Sequence, residues 1–262
     1  MNGIKPTKHI IAYIDFLGTQ EKIKNDVDHK HLMFLKSLYD YIEQQVAKKN
    51  KSNQDNHFLK EIKIRSFSDN IVFAVSANAT DMQVTCALDE VIIICAEIQL
   101  RALKEGILTR GGITIGEIFV NKNFAYGKGL LDVLKMEEEI AHFPRIILNN
   151  SLEEKYQKYF SNNNRTVLDS DNIRYINFYE TKKLEESDIR LCKRQLKKLK
   201  RDNSSDLKIL SKVNWVIKHH NIYTEQFNTQ HIQESNITNK SFEPLSQIQL
   251  NLGLEKVSKE EN

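Results

Sequence analysis

Two aspartates stand alone inside apolar runs of this sequence: Asp15 in HIIAYIDFLG, residues 9–18, and Asp69 in IKIRSFSDNIVFAV, residues 62–75. A short apolar run broken by one carboxylate and closed by glycine reads as a buried strand that carries an acid to its edge before the chain turns. Two carboxylates delivered by adjacent strands, with the Gly18 turn beside the first, have the chemistry to hold divalent metal over a phosphate-bearing ligand. Taken singly, each aspartate is equally at home capping a helix or turning a hairpin. The reading therefore depends on the elements that position the pair.

Those elements follow from periodicity. Between Thr19 and Lys49, Leu32, Leu35, Leu38, Tyr39, Ile42 and Val46 recur at helical spacing, predicting a long helix in one or two pieces. The polar stretch KKNKSNQDN, 48–56, predicts a surface crossing. Strands are expected over 61–67 and 70–76, joined by Ser68 and Asp69 as a tight hairpin with its acid at the tip. A helix over 81–105 ends at Gly106, and a strand over 107–120 carries Gly111 and Gly112, which let a backbone or ligand approach closely. After a turn at 121–123, a helix from Gly127 turns Leu130, Leu131, Leu134, Met136 and Ile140 to the core and stops at Pro144. A strand over 145–148, a helix over 152–160 and a strand over 173–178 complete the series. The order β-α-β-β-α-β with additions predicts an α+β, ferredoxin-like core: an antiparallel-rich central sheet with helices packed on one face. Residues 1–180 form this domain; 181–230 read as a helical appendage anchored by Trp215, and 231–262 as a poorly ordered tail.

Composition narrows the function. At 262 residues, 40% hydrophobic and 28% charged, the chain is globular, and a net charge of +3 implies no strong attraction to nucleic acid or membrane. The basic run LCKRQLKKLKR, 191–201, lacks interleaved aromatics and reads as a solvated helix face, so no nucleic-acid partner is expected. Cys86, Cys95 and Cys192 have no CxxC spacing, which fits a reducing cytoplasm. No signal peptide is expected at the N-terminus, and the most apolar run, 84–103, carries Asp89, Glu90, Glu97 and Arg101, too many charges for a membrane span. His9, His142, His219 and His220 lack ligand spacing, Gly127-Lys128 is no phosphate loop, and Glu137 to Glu139 read as a solvated face.

In order and spacing, IIAYIDFLG, IRSFSDNIVFAV, and RGGITIGEIFV followed by YGKGLLDVLKMEEEIAHFPRIIL resemble class III nucleotidyl cyclases. The last stretch is similar to the pyrimidine cyclases of bacterial Pycsar antiphage defence, through Gly127, Met136-Glu137, Ala141 and Phe143-Pro144-Arg145-Ile146. KVNWVIKHHN, 212–221, resembles a further motif of that family. The resemblance implies a homodimer with shared active sites that converts UTP or CTP to cyclic UMP or cyclic CMP and pyrophosphate, with a separate effector protein receiving the product. It further implies two divalent ions, Mn²⁺ or Mg²⁺, bound by Asp15 and Asp69 with the Phe16 carbonyl, and phosphates near Gly18 and Arg110. Arg65 falls where purine cyclases carry a base-reading lysine. A guanidinium only donates, which suits a pyrimidine carbonyl or a guanine carbonyl.

The sequence also departs from the purine pattern. Leu131 stands where those cyclases place a ribose-positioning asparagine, and Lys135 where they place a transition-state arginine. The resemblance leaves Asp15, Asp69 and Lys135 as the catalytic set, with Glu137 pairing Arg145 or orienting Lys135. The alternative reading is a catalytically inactive cyclase-like module that binds or senses a nucleotide.

Overall fold

Ile10, Ile11, Ala12 and Ile14 are fully buried in β1 (Thr7–Leu17), an inner strand covered on both faces, which is why its sequence reads as an unbroken apolar run. The computed structural model describes residues 5–56, 61–121, 123–180 and 184–234. After β1 come α1 (Thr19–Lys24), α2 (Lys30–Asn56), β2 (Ile62–Phe67), β3 (Asn70–Ser76), α3 (Asp81–Lys104) and β4 (Leu108–Val120). The chain continues through β5 (Ala125–Tyr126), α4 (Lys128–Lys135), a π turn (Met136–Ile140), β6 (Ile146–Leu148), α5 (Asn150–Lys155), α6 (Gln157–Ser161), β7 (Thr166–Leu168) and β8 (Arg174–Ile176). Two helices follow, α7 (Glu186–Asp202) and α8 (Leu207–Glu234).

The sheet runs β2-β3-β1-β4-β6-β8-β7, with β5 paired to β4. Its first four strands are antiparallel throughout and joined as βαββαβ, the ferredoxin-like core of an α+β fold. β6 joins β4 in parallel through the α4 crossover.

Helices cover both faces, not one. α2 and α3 lie against the side bearing Ile10, Ile14 and Phe16, while Val133 of α4 packs with Ile11, Tyr13, Val72, Ala74 and Ile118 on the other. The helix after Thr19 does come in two pieces, but α2 continues through the polar stretch expected to cross the surface. β5 and β7 were not foreseen, and the 152–160 helix divides at Tyr156 into α5 and α6. Leu131 and Ile140 are 60% and 41% exposed, not core residues. The π turn explains Ile140: the Ala141 amide reaches back to the Met136 carbonyl at 2.8 Å, one residue further than in an α-helix. The inward position thereby passes to Ala141, which is fully buried.

The two glycines of β4 make room for protein, not ligand. A Cβ on Gly111 would lie 2.0 Å from the Tyr13 carbonyl oxygen, and one on Gly112 would lie 3.1 Å from the Met136 side chain. Arg145 beside them is buried, its terminal nitrogens donating to Asp169 at 2.7 Å and to Asp171. It is therefore not the partner of Glu137.

The chain divides into two compact units, Met1–Asp188 and Ile189–Asn262. In the second, Trp215 is buried as expected and its ring lies 3.8 Å from that of His219. Arg194, Lys197 and Lys198 are exposed on α7 while Cys192 and Leu196 are buried, the solvated basic face the composition implied. The expected tail lies outside the described residues beyond Glu234. No helix among the described residues is long and apolar enough to cross a membrane.

Gly111→Ala is expected to destabilise the protein by about 1–3 kcal/mol in urea titration, because its Cβ meets backbone; Gly112→Ala costs less, because the Met136 chain can give way. His220 supplies a pH dependence. Burial, with the Lys193 charge, lowers its pKa from 6.5 to about 4, so the unfolded chain takes up the proton first as pH falls. Stability is full above pH 6.5 and declines towards pH 4 by on the order of 3 kcal/mol. Urea midpoints across that range should show the slope, and His220→Leu should remove this part of it.

Candidate active site

Asp15 pairs with Asn70 of β3 on one side and Arg110 of β4 on the other. Residues directly opposite in a ladder project to the same face, so Asn70, Asp15 and Arg110 form one row across three strands. Asp69 is the second residue of the β2–β3 loop, and its backbone carbonyl accepts a hydrogen bond from the Phe16 amide at 3.2 Å. The loop turns through Ser68 at φ 54°, a conformation glycine usually supplies. Tyr39 of α2 donates its hydroxyl to the Ser68 carbonyl at 2.7 Å and ties down the tip. Burial and the Asp69 charge push the Tyr39 phenol up to about 12, so it stays a donor.

Tyr13 gathers the charges. It lies two residues before Asp15 on the same face, and burial together with the carboxylates of Asp15, Glu137 and Asp69 pushes its phenol up, with Arg110 opposing. Asp15 of β1 and Asp69 of the β2–β3 loop therefore act on one hydroxyl. Glu137 is 4% exposed and engages the Arg110 Nε, which also lies 3.7 Å from Asp15. Burial raises the Glu137 carboxyl, Arg110 opposes this, and Asp15 and Glu138 reinforce it. Two carboxylates, Asp15 and Glu137, thus face one guanidinium, while Asp69 joins them in acting on Tyr13.

That excess of negative charge is what a cation would relieve. The buried Asn70 Oδ1, in the row with Asp15, has no hydrogen-bond donor among the described residues. An amide oxygen and two carboxylates are hard oxygen donors of the kind magnesium and manganese take. Among the described residues no group of three His, Cys, Asp or Glu side chains forms an all-protein metal cage. Magnesium characteristically binds through one or two carboxylates together with substrate phosphates, so the residues present fit it.

The remaining candidates fall as follows. The Phe16 side chain is buried on the opposite face, and its carbonyl accepts the Thr19 hydroxyl at 2.8 Å, leaving one lone pair for another partner. Gly18 adopts φ 78° at the head of α1, its carbonyl taken by the Lys22 amide. Arg65 shares a row with Val72 and Tyr13, hence the face of Asp15. Lys135 is exposed at the end of α4, between buried Val133 and the buried Met136 that opens the π turn; the fold does not gather it with the acids of its own chain. Sequence reasoning missed Asn70, Tyr13 and the burial of Glu137. A signal existed for the last, since Glu137 lies four residues after Val133 and so on the same helical face.

No protein-family model matches the chain, and no curated protein does. Several solved structures are similar to it. One is the monomeric guanylyl cyclase domain of the RhoGC fusion protein from the aquatic fungus Blastocladiella emersonii, at 11% identity and a TM-score of 0.46, covering 66% of this chain and 96% of that one. A second is the guanylate cyclase domain of RhGC from Catenaria anguillulae in complex with GTP, at 12% identity and 0.44, covering 67% and 98%. A third is a class III adenylyl cyclase-like ATP-binding protein from Pseudomonas aeruginosa, at 12% and 0.34, covering 57% and 36%.

Away from the acid row, a cleft of about 1310 Å³ opens between α3 and α5–α6. Its Asp89 already receives Tyr159, Asn163 and Arg165.

Divalent metal is expected to raise the melting temperature of the full chain, the stabilisation reaching about 2.7 kcal/mol at a hundredfold excess over Kd. Differential scanning fluorimetry with Mn²⁺ or Mg²⁺ should show the rise in wild type and its loss in Asp69→Asn. A wild-type melt indifferent to both ions would remove the metal reading.

Proposed function

We propose that the chain is a class III-type nucleotide cyclase that converts UTP or CTP to the 3′,5′-cyclic monophosphate and pyrophosphate, as a second-messenger synthase in bacterial antiphage defence. The observation that carries this reading is the row Asn70–Asp15–Arg110 with Asp69 beside it. Oxygens of the kind that bind metal and a guanidinium able to grip phosphate, sharing one face of the sheet, support it. Asp15, Asp69 and the Phe16 carbonyl would hold two divalent ions, which would supply Lewis acidity to ease deprotonation of the ribose 3′-hydroxyl and offset charge on the departing pyrophosphate.

The chain's own groups divide the remaining work. Arg110 binds phosphate oxygens, with Gly18 beside the triphosphate. Arg65, on the same face, donates to a carbonyl of the base, and a donor-only group suits uracil O4 or cytosine O2. Lys135 acts on the site of a second copy in a homodimer. Its outward position beside exposed Leu131, with Phe124, Tyr126 and Ile140 also exposed nearby in sequence, supports a partner chain covering this side. The cyclic product passes to a separate effector protein.

A cyclase-like module that binds a nucleotide without turnover is the second reading. It is favoured by Leu131, an exposed apolar residue where ribose positioning calls for an amide.

Incubating the purified protein with Mn²⁺ and each of the four nucleoside triphosphates should yield a cyclic product from UTP or CTP. Asp69→Ala should lower turnover by on the order of 100-fold or more. Product from ATP or GTP alone would remove the pyrimidine assignment and leave the cyclase. Triphosphate binding with no pyrophosphate released would select the sensor.

A further inference from the structure

Arg110 is held in an unusual way for a phosphate ligand. Its Nε faces Glu137 and Asp15, while its two terminal nitrogens donate no hydrogen bond to any described residue. A guanidinium carries five N–H donors in a rigid fork, and fixing it through Nε leaves the four terminal donors aimed together. Asp15 is a poor sole anchor, since the proposed metal ions draw on the same carboxylate. Glu137 has no such second duty.

The local fold explains how an acid comes to be there. Val133 and Met136 keep the helix seated on the sheet, with Met136 over Gly112, two residues along β4 from Arg110. Glu137 follows Met136 in the first position of the π turn that can reach the Arg110 side chain, and Ala141 closes the turn. Glu138 and Glu139, next in sequence, are exposed. Only one of three consecutive glutamates is therefore turned inwards, and it meets the one arginine in the acid row.

We infer that Glu137 is a positioning residue for triphosphate binding: it anchors the Arg110 guanidinium by Nε so that the terminal nitrogens present a preformed fork to phosphate oxygens. This rests on the proposed function, in that Arg110 must face a polyphosphate. Preformed donors spare the ordering cost of a flexible arginine, so the effect belongs to binding affinity. Glu137 touches no substrate atom and acts through Arg110 alone.

A double-mutant cycle separates this from a structural role. Binding of inorganic tripolyphosphate and of α,β-methylene UTP, each with Mn²⁺, would be measured by calorimetry on the full chain. Glu137→Ala is expected to weaken both by about tenfold or more in the wild-type background and by less than about threefold in Arg110→Ala. Glu137→Gln keeps an acceptor oxygen for Nε in nearly the same volume and should stay within about threefold of wild type. If Glu137→Ala does not fold, Glu137→Met, which keeps nearly the same volume but offers Nε no carboxylate, carries the cycle with the same expected losses. Equal losses from Glu137→Ala in both backgrounds, or no loss in the first, overturn the inference while leaving the cyclase reading intact. If the wild-type chain binds neither probe, both readings fall.

Discussion

Crowding of negative charge against a single guanidinium is the constraint on which this site depends. Asp15, Asp69 and Glu137 all act on the Tyr13 phenol, and only Arg110 opposes them. In a half-buried setting such groups repel more strongly than in water, and the protein accommodates them by raising the Glu137 carboxyl and keeping Tyr13 protonated. The arrangement survives because strand pairing fixes it. A one-residue slip of β1 against β3 and β4 would send Asp15 to the face of α2 and α3 and bring Phe16 into the charged row. The buried residues Ile10, Ala12, Ile14 and Phe16 on one side, and Ile11 and Tyr13 on the other, oppose that slip. The hydrophobic core thus sets the electrostatics of the site by holding register.

Much of this was readable from residue order alone, because the deciding signals were local. β3 lies where the alternation placed it, and β1 extends the expected run by a few residues; a turn residue between two β-branched runs is enough to locate the Asp69 hairpin. The ferredoxin-like core followed from element order. What was missed depends on contacts far apart in sequence. α2 continues into the polar stretch, where the Asn50 side chain donates to the Ile62 carbonyl and accepts from the Ile62 amide, a contact twelve residues away that no local pattern announces. β5 and β7 are two and three residues long, too short for any period to register. Glu137 looked solvated because its partner is 27 positions earlier in the chain, and the extra residue of the π turn moved the inward position off Ile140.

The two arginines that flank the glycines of β4 in space show how satisfaction of donors separates structure from function. Arg145 is completely buried, and its terminal nitrogens are spent on Asp169 and Asp171, while Phe143 and Tyr175 lie against its guanidinium plane. Its charge is matched and its fork is closed, so it can serve only to fasten the 169–173 loop to the sheet beside β6. Removing it would strand two acids, one of them buried, which marks a group retained for the fold.

Arg110 inverts each of these features. It is about a quarter exposed, it is engaged through Nε, and its terminal nitrogens meet no acceptor of the described chain. An arginine that spends its fork internally needs nothing further, whereas one anchored from behind presents its strongest donors outwards at a fixed angle. Both lie in motifs with equal claim to attention, TRGG and FPRI, and sequence alone assigned them by resemblance. The acids supplied to each differ in place: two at the tip of Arg145 close its fork, while Glu137 and Asp15 meet Arg110 at Nε, the arrangement that the proposed triphosphate reading requires.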